Sequence, residues 1–488
     1  MRVHRSRIIP TLSIALVGLC HERAAGQCSG IVSNPSQASS CVSNAIPDAK
    51  VAAIDTQHLY SLAELIDVGE RNNPQTRVAW ERAKQQAKRL GIEKSEYFPL
   101  LAATALFGDQ RVAEPFPKPL SPTGYSVVDL PLVQPQIELQ YLLFDFGGRK
   151  ARVDAAKAEA LAAGAQFIKI NQDIAFAISN DYYLLVTAQE RLQAAKDTLK
   201  TAQTTQDAAE ARLANGRATL PDVLNARAET AQAVFDLEQA DGDEKIARVT
   251  LTEAIGVEPS PDISIDGERN APLPKALTLP IDQLISRAFA DRPDLMAQVL
   301  EIRKADDEIR NAGSAYWPKV TLSGNVAQTA AWPSEVRPPA QLGHFNTPTW
   351  AATVSVEWTI FDGGARRNRK ELAQSGKRQA IEDLRDKRDQ AQREVWSSYI
   401  AFRTALRQQE AAVALLSAAE TSYTASLDAY NFGVKNLVDV VTAEKQLALA
   451  RLSSVSARSR VFTEAVRIES VTGNLLRNLP SATTTQGK

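Results

Sequence analysis

Few residues in this 488-residue chain could do chemistry, and their spacing points away from catalysis. Of its four histidines, only His58 and His344 lie beyond a leader-like N-terminus. They are far apart and lack ligand spacing. No Gly-rich phosphate loop, nucleophile elbow or zinc-type cysteine pair occurs. No catalytic residue, cofactor or metal site is therefore read, and the chain is not read as an enzyme. What remains is a pair of carboxylates at turns. Thr219-Leu220-Pro221-Asp222 and Asn436-Leu437-Val438-Asp439 each place an acid three residues after a helix-capping residue. Such an acid can close a capping box. Repeated around a narrow opening, it would also attract cations and discourage anions.

These two turns are copies of one another. Gly216 precedes Asp222 as Gly433 precedes Asp439, and Gly256 and Gly473 follow at the same interval. Phe144-Asp145 matches Phe361-Asp362 in that register, a shift of 217 residues. Upstream the shift is 219, which pairs Asn73-Pro74-Gln75 with Arg292-Pro293-Asp294 and Tyr97-Phe98-Pro99 with Tyr316-Trp317-Pro318. The net two-residue difference lies between residues 99 and 144. The chain is one structural unit used twice, and the fold must be read per repeat. The first repeat spans 58–256 and the second 280–473, with a linker at 257–279 and a tail at 474–488.

The N-terminus reads as an export signal over 1–26. Arg2, Arg5 and Arg7 give a basic start, Ile8 to Cys20 an apolar core, and Ala24-Ala25-Gly26 a cleavage site. The competing reading is a lipoprotein signal acylated at Cys20, against which Leu19 stands where a small residue is needed. Cleavage leaves an extension over 27–57 with Cys28 and Cys41, an even count in an exported chain. A disulfide between them would contribute about 3 kcal/mol. The net charge of −1 suggests no nucleic-acid partner. No later segment is apolar for 18 residues, so a membrane could be crossed only by strands.

The elements follow from periodicity. Ser61 to Tyr97 has helical spacing and ends at Pro99. In the first repeat Ile137, Leu139, Tyr141 and Leu143 alternate with Gln136, Glu138, Gln140 and Leu142. In the second, Val354, Val356, Trp358 and Ile360 alternate with Thr353, Ser355, Glu357 and Thr359. The partner strand of the second repeat has Val320, Leu322 and Val326 against Thr321, Ser323 and Asn325. Each repeat thus offers two strands of about ten residues, the length and alternation of a lipid-facing, water-lined barrel strand. Pro-rich segments at 111–125 and 328–348 read as the loops between them. Glycine-bearing corners at Asp145–Arg149 and Asp362–Arg366 lead into helices over about 149–213 and 365–432, each about 100 Å long. Helices so long and so polar must lie in a coiled-coil-like array. The Gly216 and Gly433 turns send new helices back to Gly256 and Gly473. The entering and returning helices of a repeat together match its long helix, so two half-length helices can stack beside each full-length one. The strands then lie at one end and the two turns at the other. Four strands cannot close a barrel, and open edges are costly in lipid, so the chain must oligomerise if its strands enter a membrane.

The doubled layout, the Asn73-Pro74 and Arg292-Pro293 pairs, the aromatic-Pro triplets, the Phe-Asp-Gly-Gly corners and the turns at 216–223 and 433–440 resemble those of TolC-family outer-membrane efflux proteins. The resemblance covers about residues 58 to 475. It implies a mainly α fold with a small β part. Three chains would form an α-helical barrel, each contributing four strands to a shared transmembrane β-barrel. It further implies an exit duct for efflux or secretion, placed in the outer membrane and extending into the periplasm. Its partners would be a periplasmic adaptor (membrane fusion) protein, an inner-membrane pump of RND or ABC type, and outer-membrane lipid. By the same resemblance, Asp222, Tyr430 and Lys435 hold a closed gate and Asp439 lines it. A further acid found in some members is replaced by Thr442. Gly216, Arg217, Gly433 and Val434 are the adaptor-docking tip. The alternative function is a periplasmic coiled-coil scaffold or adaptor that does not span the membrane, which explains the helices but not four amphipathic strands.

Overall fold

A computed structural model describes residues 55, 57–115, 122–267, 272–274, 279–337 and 343–478. The export signal, the Cys20 question and the Cys28–Cys41 pair lie outside the described residues. Among the described residues no helix is long and apolar enough to cross a membrane.

Each repeat contains the same four helices. In the first these are α1 (Leu62–Asn72), α2 (Pro74–Ser95), α3 (Gly148–Ala214) and α4 (Leu220–Ala254). In the second they are α5 (Ile281–Asp291), α6 (Pro293–Ser314), α7 (Ala365–Asn431) and α8 (Leu437–Val471). A last short helix, α9, spans Leu475–Asn478. The expected single helix from Ser61 to Tyr97 is instead two. Asn73 breaks it, because its extended backbone (φ −61°, ψ 126°) ends α1 while its side chain caps α2, accepting from the Gln75 amide at 2.8 Å. Proline follows at the first helical position, where its missing N–H costs nothing.

Half-length helices do stack end to end, and the joint is built from the break. Asn73 Nδ2 donates to the Ala254 carbonyl at the end of α4 at 2.8 Å. In the second repeat Arg292 takes that role, with Nη1 donating to the Val471 carbonyl at 3.4 Å. The joints are tight. A Cβ on Gly256 would lie 2.6 Å from Asn73 Cα, and one on Gly473 would lie 2.9 Å from the Asp291 carbonyl carbon. Beside each joint lies a hydrophobic core. Leu65, Ile178, Tyr182, Leu185 and Leu251 form the first, and Leu284, Val395, Phe402 and Ile468 the second.

The strands form one antiparallel sheet in the order β2 (Leu100–Pro115), β3 (Tyr125–Phe144), β5 (Lys319–Ala331), β7 (Phe345–Glu357). The short β6 (Ser334–Arg337) also pairs with β3. A separate two-stranded pair joins β1 (Leu59–Tyr60) to β4 (Ser264–Ile265) in the linker. The first hairpin is longer than its alternation indicates. The described ends of the proline-rich stretch read as loop, 111–115 and Tyr125, continue the ladder, and Arg111 forks onto the Asp129 carboxylate across the strands at 2.6 and 2.9 Å. Register carries one apolar row across the sheet. Ala103 pairs with Ile137, Ile137 with Val326, and Val326 with Trp350. The opposite face carries Thr104, Gln136, Ala327 and Thr349 in the neighbouring row. Ile137, Val326 and Trp350 are all exposed in the single chain, as the expected lipid-facing row requires.

Helices and strands share one lateral order. The α2 and α4 track packs on α3, α3 on α6 and α8, and these on α7. The outer track exposes Phe235 and Ile246, and α7 exposes Leu372 and Ile400. The chain therefore ends sideways in two apolar edges, each continuing into an edge of β2 or β7 that is unpaired among the described residues.

Candidate gate at the paired turns

The ends of α3 and α7 farthest from the sheet close in the same way. At the first, the Arg217 amide donates to the Arg212 carbonyl at 2.8 Å and Gly216 to Leu213 at 2.9 Å. At the second, Val434 donates to Ala429 at 2.8 Å and Gly433 to Tyr430 at 2.9 Å. Both are Schellman ends, which require the left-handed backbone that Gly216 (φ 67°) and Gly433 (φ 82°) supply. The next helices start at Leu220 and Leu437, four residues past the glycines, so both hairpins turn tightly and present Gly216, Arg217, Gly433 and Val434 at the surface. Phe432 and Val434 are 85% and 80% exposed, the largest apolar exposure at either turn.

Between the turns lies a small core of Ala209, Val223, Ala226, Tyr430, Leu437 and Val440, drawn from both repeats. Tyr430 is buried in it. Its hydroxyl has no hydrogen-bond partner among the described residues, and burial pushes its pKa up.

The two acids differ. Asp222 completes its capping box: Oδ2 accepts from the Thr219 hydroxyl at 2.7 Å and from its amide at 2.9 Å. Those bonds, the hydroxyl first, hold its carboxyl below the usual range. Asn436 caps α8 by accepting from the Asp439 amide at 2.9 Å, but the return bond is absent. Nothing among the described residues binds the exposed Asp439 carboxylate. Lys435 reaches the Ser426 hydroxyl at 3.2 Å in its own hairpin. Within one chain the structure therefore brings neither Lys435 nor Tyr430 into a bond with Asp222.

Two residues that sequence reasoning passed over are part of this region. Arg212 lays its guanidinium over the Tyr430 ring, 4.4 Å from the centroid. A few turns above, Thr205 donates to the buried Glu444 at 2.8 Å, joining α3 to α8, and Tyr423 of α7 donates to the Thr201 carbonyl at 3.3 Å. Burial raises the Glu444 pKa, and the Thr205 bond opposes it. Both residues look like solvated helix charges in sequence. Only the doubled helix packing brings their partners close.

The chain matches the family model described as "Outer membrane efflux protein" over residues 65–257 and 284–474, the two repeats. It is similar to the protein CyaE of Bordetella pertussis, 26% identical over 86% of this chain and 85% of that one. It is also similar to the outer membrane protein OprJ of Pseudomonas aeruginosa, 25% identical over 84% of each chain. Its fold is that of the outer membrane protein VceC of Vibrio cholerae, with a TM-score of 0.68 at 20% identity over 84% of this chain and 96% of that one.

Proposed function

The chain belongs to the outer membrane efflux protein family, and from that membership and its geometry we infer that it works as a passive, gated exit duct. It is a channel protein of the outer membrane that extends into the periplasm, and it is not an enzyme. The observation that carries this reading is the sheet with a continuous apolar row, set at one end of 67-residue helices whose other end is closed by turns. A soluble scaffold would have no use for such a face.

The assembly follows from the two unlike edges. A heterologous contact between the α7 edge of one chain and the α2 and α4 edge of the next generates a ring when the rotation closes. Three chains of four strands each, the number the family resemblance implies, would give a twelve-stranded barrel. The turns at Gly216 and Gly433 dock a periplasmic adaptor, which couples the duct to an inner-membrane pump of RND or ABC type.

The gate lies at those turns. Asp439, with no bond to its carboxylate among the described residues, faces the opening and selects cations. Asp222, Tyr430 and Lys435 hold the closed state. A bond from Lys435 to a carboxylate of the neighbouring chain, if exposed, would be worth only about 0 to 1 kcal/mol. Several such links around a ring can hold a gate yet yield to an adaptor that prefers the open form. The test is conduction of the purified oligomer in planar bilayers. Asp222→Ala is expected to raise single-channel conductance. Conductance equal to wild type in this variant and in others at the turns would overturn the gate.

A further inference from the structure

The two hairpins at the closed end meet through a contact centred on Arg212, in the last turn of α3. Its Cζ lies 4.4 Å from the centroid of the Tyr430 ring, which belongs to the other repeat. The same guanidinium touches both turns. Nη2 donates to the Arg217 carbonyl, just past Gly216, at 3.4 Å. That nitrogen would also lie 3.6 Å from a Cβ placed on Gly433. The Tyr430 ring is walled on other sides by the small core that includes Ala209, Val223 and Val440.

Three polar atoms here are buried without partners among the described residues: the Tyr430 hydroxyl and Nε and Nη1 of Arg212. The obvious acceptor, Asp222, is already bound by Thr219. The hydroxyl therefore does not hold Tyr430 in place within the chain; the face of the ring does. A cation over an aromatic face is attracted by the ring quadrupole, more strongly as water is removed. A planar guanidinium can stack there as an ammonium cannot. The two unpartnered nitrogens add a counterweight. Separation of the hairpins would return them to water, where both regain hydrogen bonds, and this lowers the cost of opening.

We propose that Arg212 is the positioning residue of the gate, clamping the ring of Tyr430 and so fastening the first-repeat turn to the second-repeat turn in the closed state. The inference rests on reading these turns as the gate. It differs from a hydroxyl-to-carboxylate latch in what it requires of Tyr430: an aromatic face, not an OH group.

The test uses the full-length oligomer in planar bilayers, with heat-modifiable migration checked for every variant. Arg212→Ala and Tyr430→Leu are each expected to raise the ratio of open to closed dwell times by about tenfold, as for a partly desolvated cation–π contact. The double variant should open no further than either single one. Tyr430→Phe keeps the ring and should open far less than Tyr430→Leu. Arg212→Lys keeps the charge but loses the planar fork, and should fall between wild type and Arg212→Ala. If Tyr430→Phe opens the channel as much as Tyr430→Leu, the hydroxyl is the latch and the proposal is wrong. If Asp222→Ala opens the channel and Arg212→Ala does not, the gate stands and Arg212 has no part in it. If neither changes conduction, the gate lies elsewhere and the proposal falls with it. Should Arg212→Ala fail to assemble, the ranking of Tyr430→Phe against Tyr430→Leu decides the matter alone.

Discussion

Asp222 and Asp439 occupy equivalent positions and carry different loads. Asp222 is spent on its capping box, whereas the Asp439 carboxylate is left to the solvent. Asp439→Ala is therefore expected to weaken cation preference, read as a smaller reversal potential in a salt gradient, with little loss of helix because Asn436 still caps α8. An unchanged reversal potential would remove Asp439 from the conduction path. Glu444 offers a pH dependence of opposite sense to that of an ordinary paired carboxylate. Burial first, then the Glu229 charge, raises its pKa, against the Thr205 bond and the charges of Lys445 and Arg451. The folded chain then holds a proton that the unfolded chain releases. Stability is greatest below the ordinary glutamate range and falls as pH rises from there through the raised folded value. Glu444→Gln should flatten that decline, measured as melting temperature in detergent between mildly acidic and neutral pH; an identical slope would place the dependence on another group. Asp222, Tyr430, Lys435 and Asp439 could be singled out because turn spacing and family resemblance mark them. Arg212 and Glu444 could not, because a charge on a polar helix gives no sign of being covered by another repeat.

The long helices, the paired turns and the stacking of half-length helices were all legible, since glycine, proline and capping residues punctuate them. The break at Asn73 was missed because the apolar spacing continues across it, and only the joint with α4 explains it. Strand ends were missed for the complementary reason: proline reads as a stop, yet a ladder tolerates the loss of single N–H groups along β3. The glycines at the turns and at the joints make different demands, and substitution separates them. At Gly433 the demand is backbone angle, since an added Cβ would meet only an ordinary contact with the end of the Arg212 side chain. A β-branched residue there costs roughly 1 to 2 kcal/mol locally, while asparagine is tolerated. Gly433→Val is expected to abolish efflux with membrane assembly intact, and Gly433→Asn to retain it; unchanged efflux in Gly433→Val would count against a docking role. At Gly256 and Gly473 the demand is also space, since any Cβ meets backbone. Gly256→Asn should therefore reduce the yield of assembled protein, measured on membranes, where Gly433→Asn does not.

The whole molecule is incomplete sideways. Its sheet ends in β2 and β7, each with one neighbour among the described residues, and both helical edges expose apolar side chains. The protein is expected to run as a stable oligomer in mild detergent, most simply a trimer, by native mass or light scattering. A monodisperse monomer with full strand content would contradict this. The two repeats also agree in a way that ordinary divergence does not favour. Their helices are of 11, 22, 67 and 35 residues in each case, while their strands are of 16 and 20 in one repeat and 13 and 13 in the other. Both turns must end level if one partner surface is to meet them, and both joints must meet at one height. Hereditary drift in length is then unequal across the chain. An insertion in the strand hairpins changes only what protrudes beyond the membrane. One in α3 alone shears its turn away from that of α7, and survives only when matched in α4, α7 and α8.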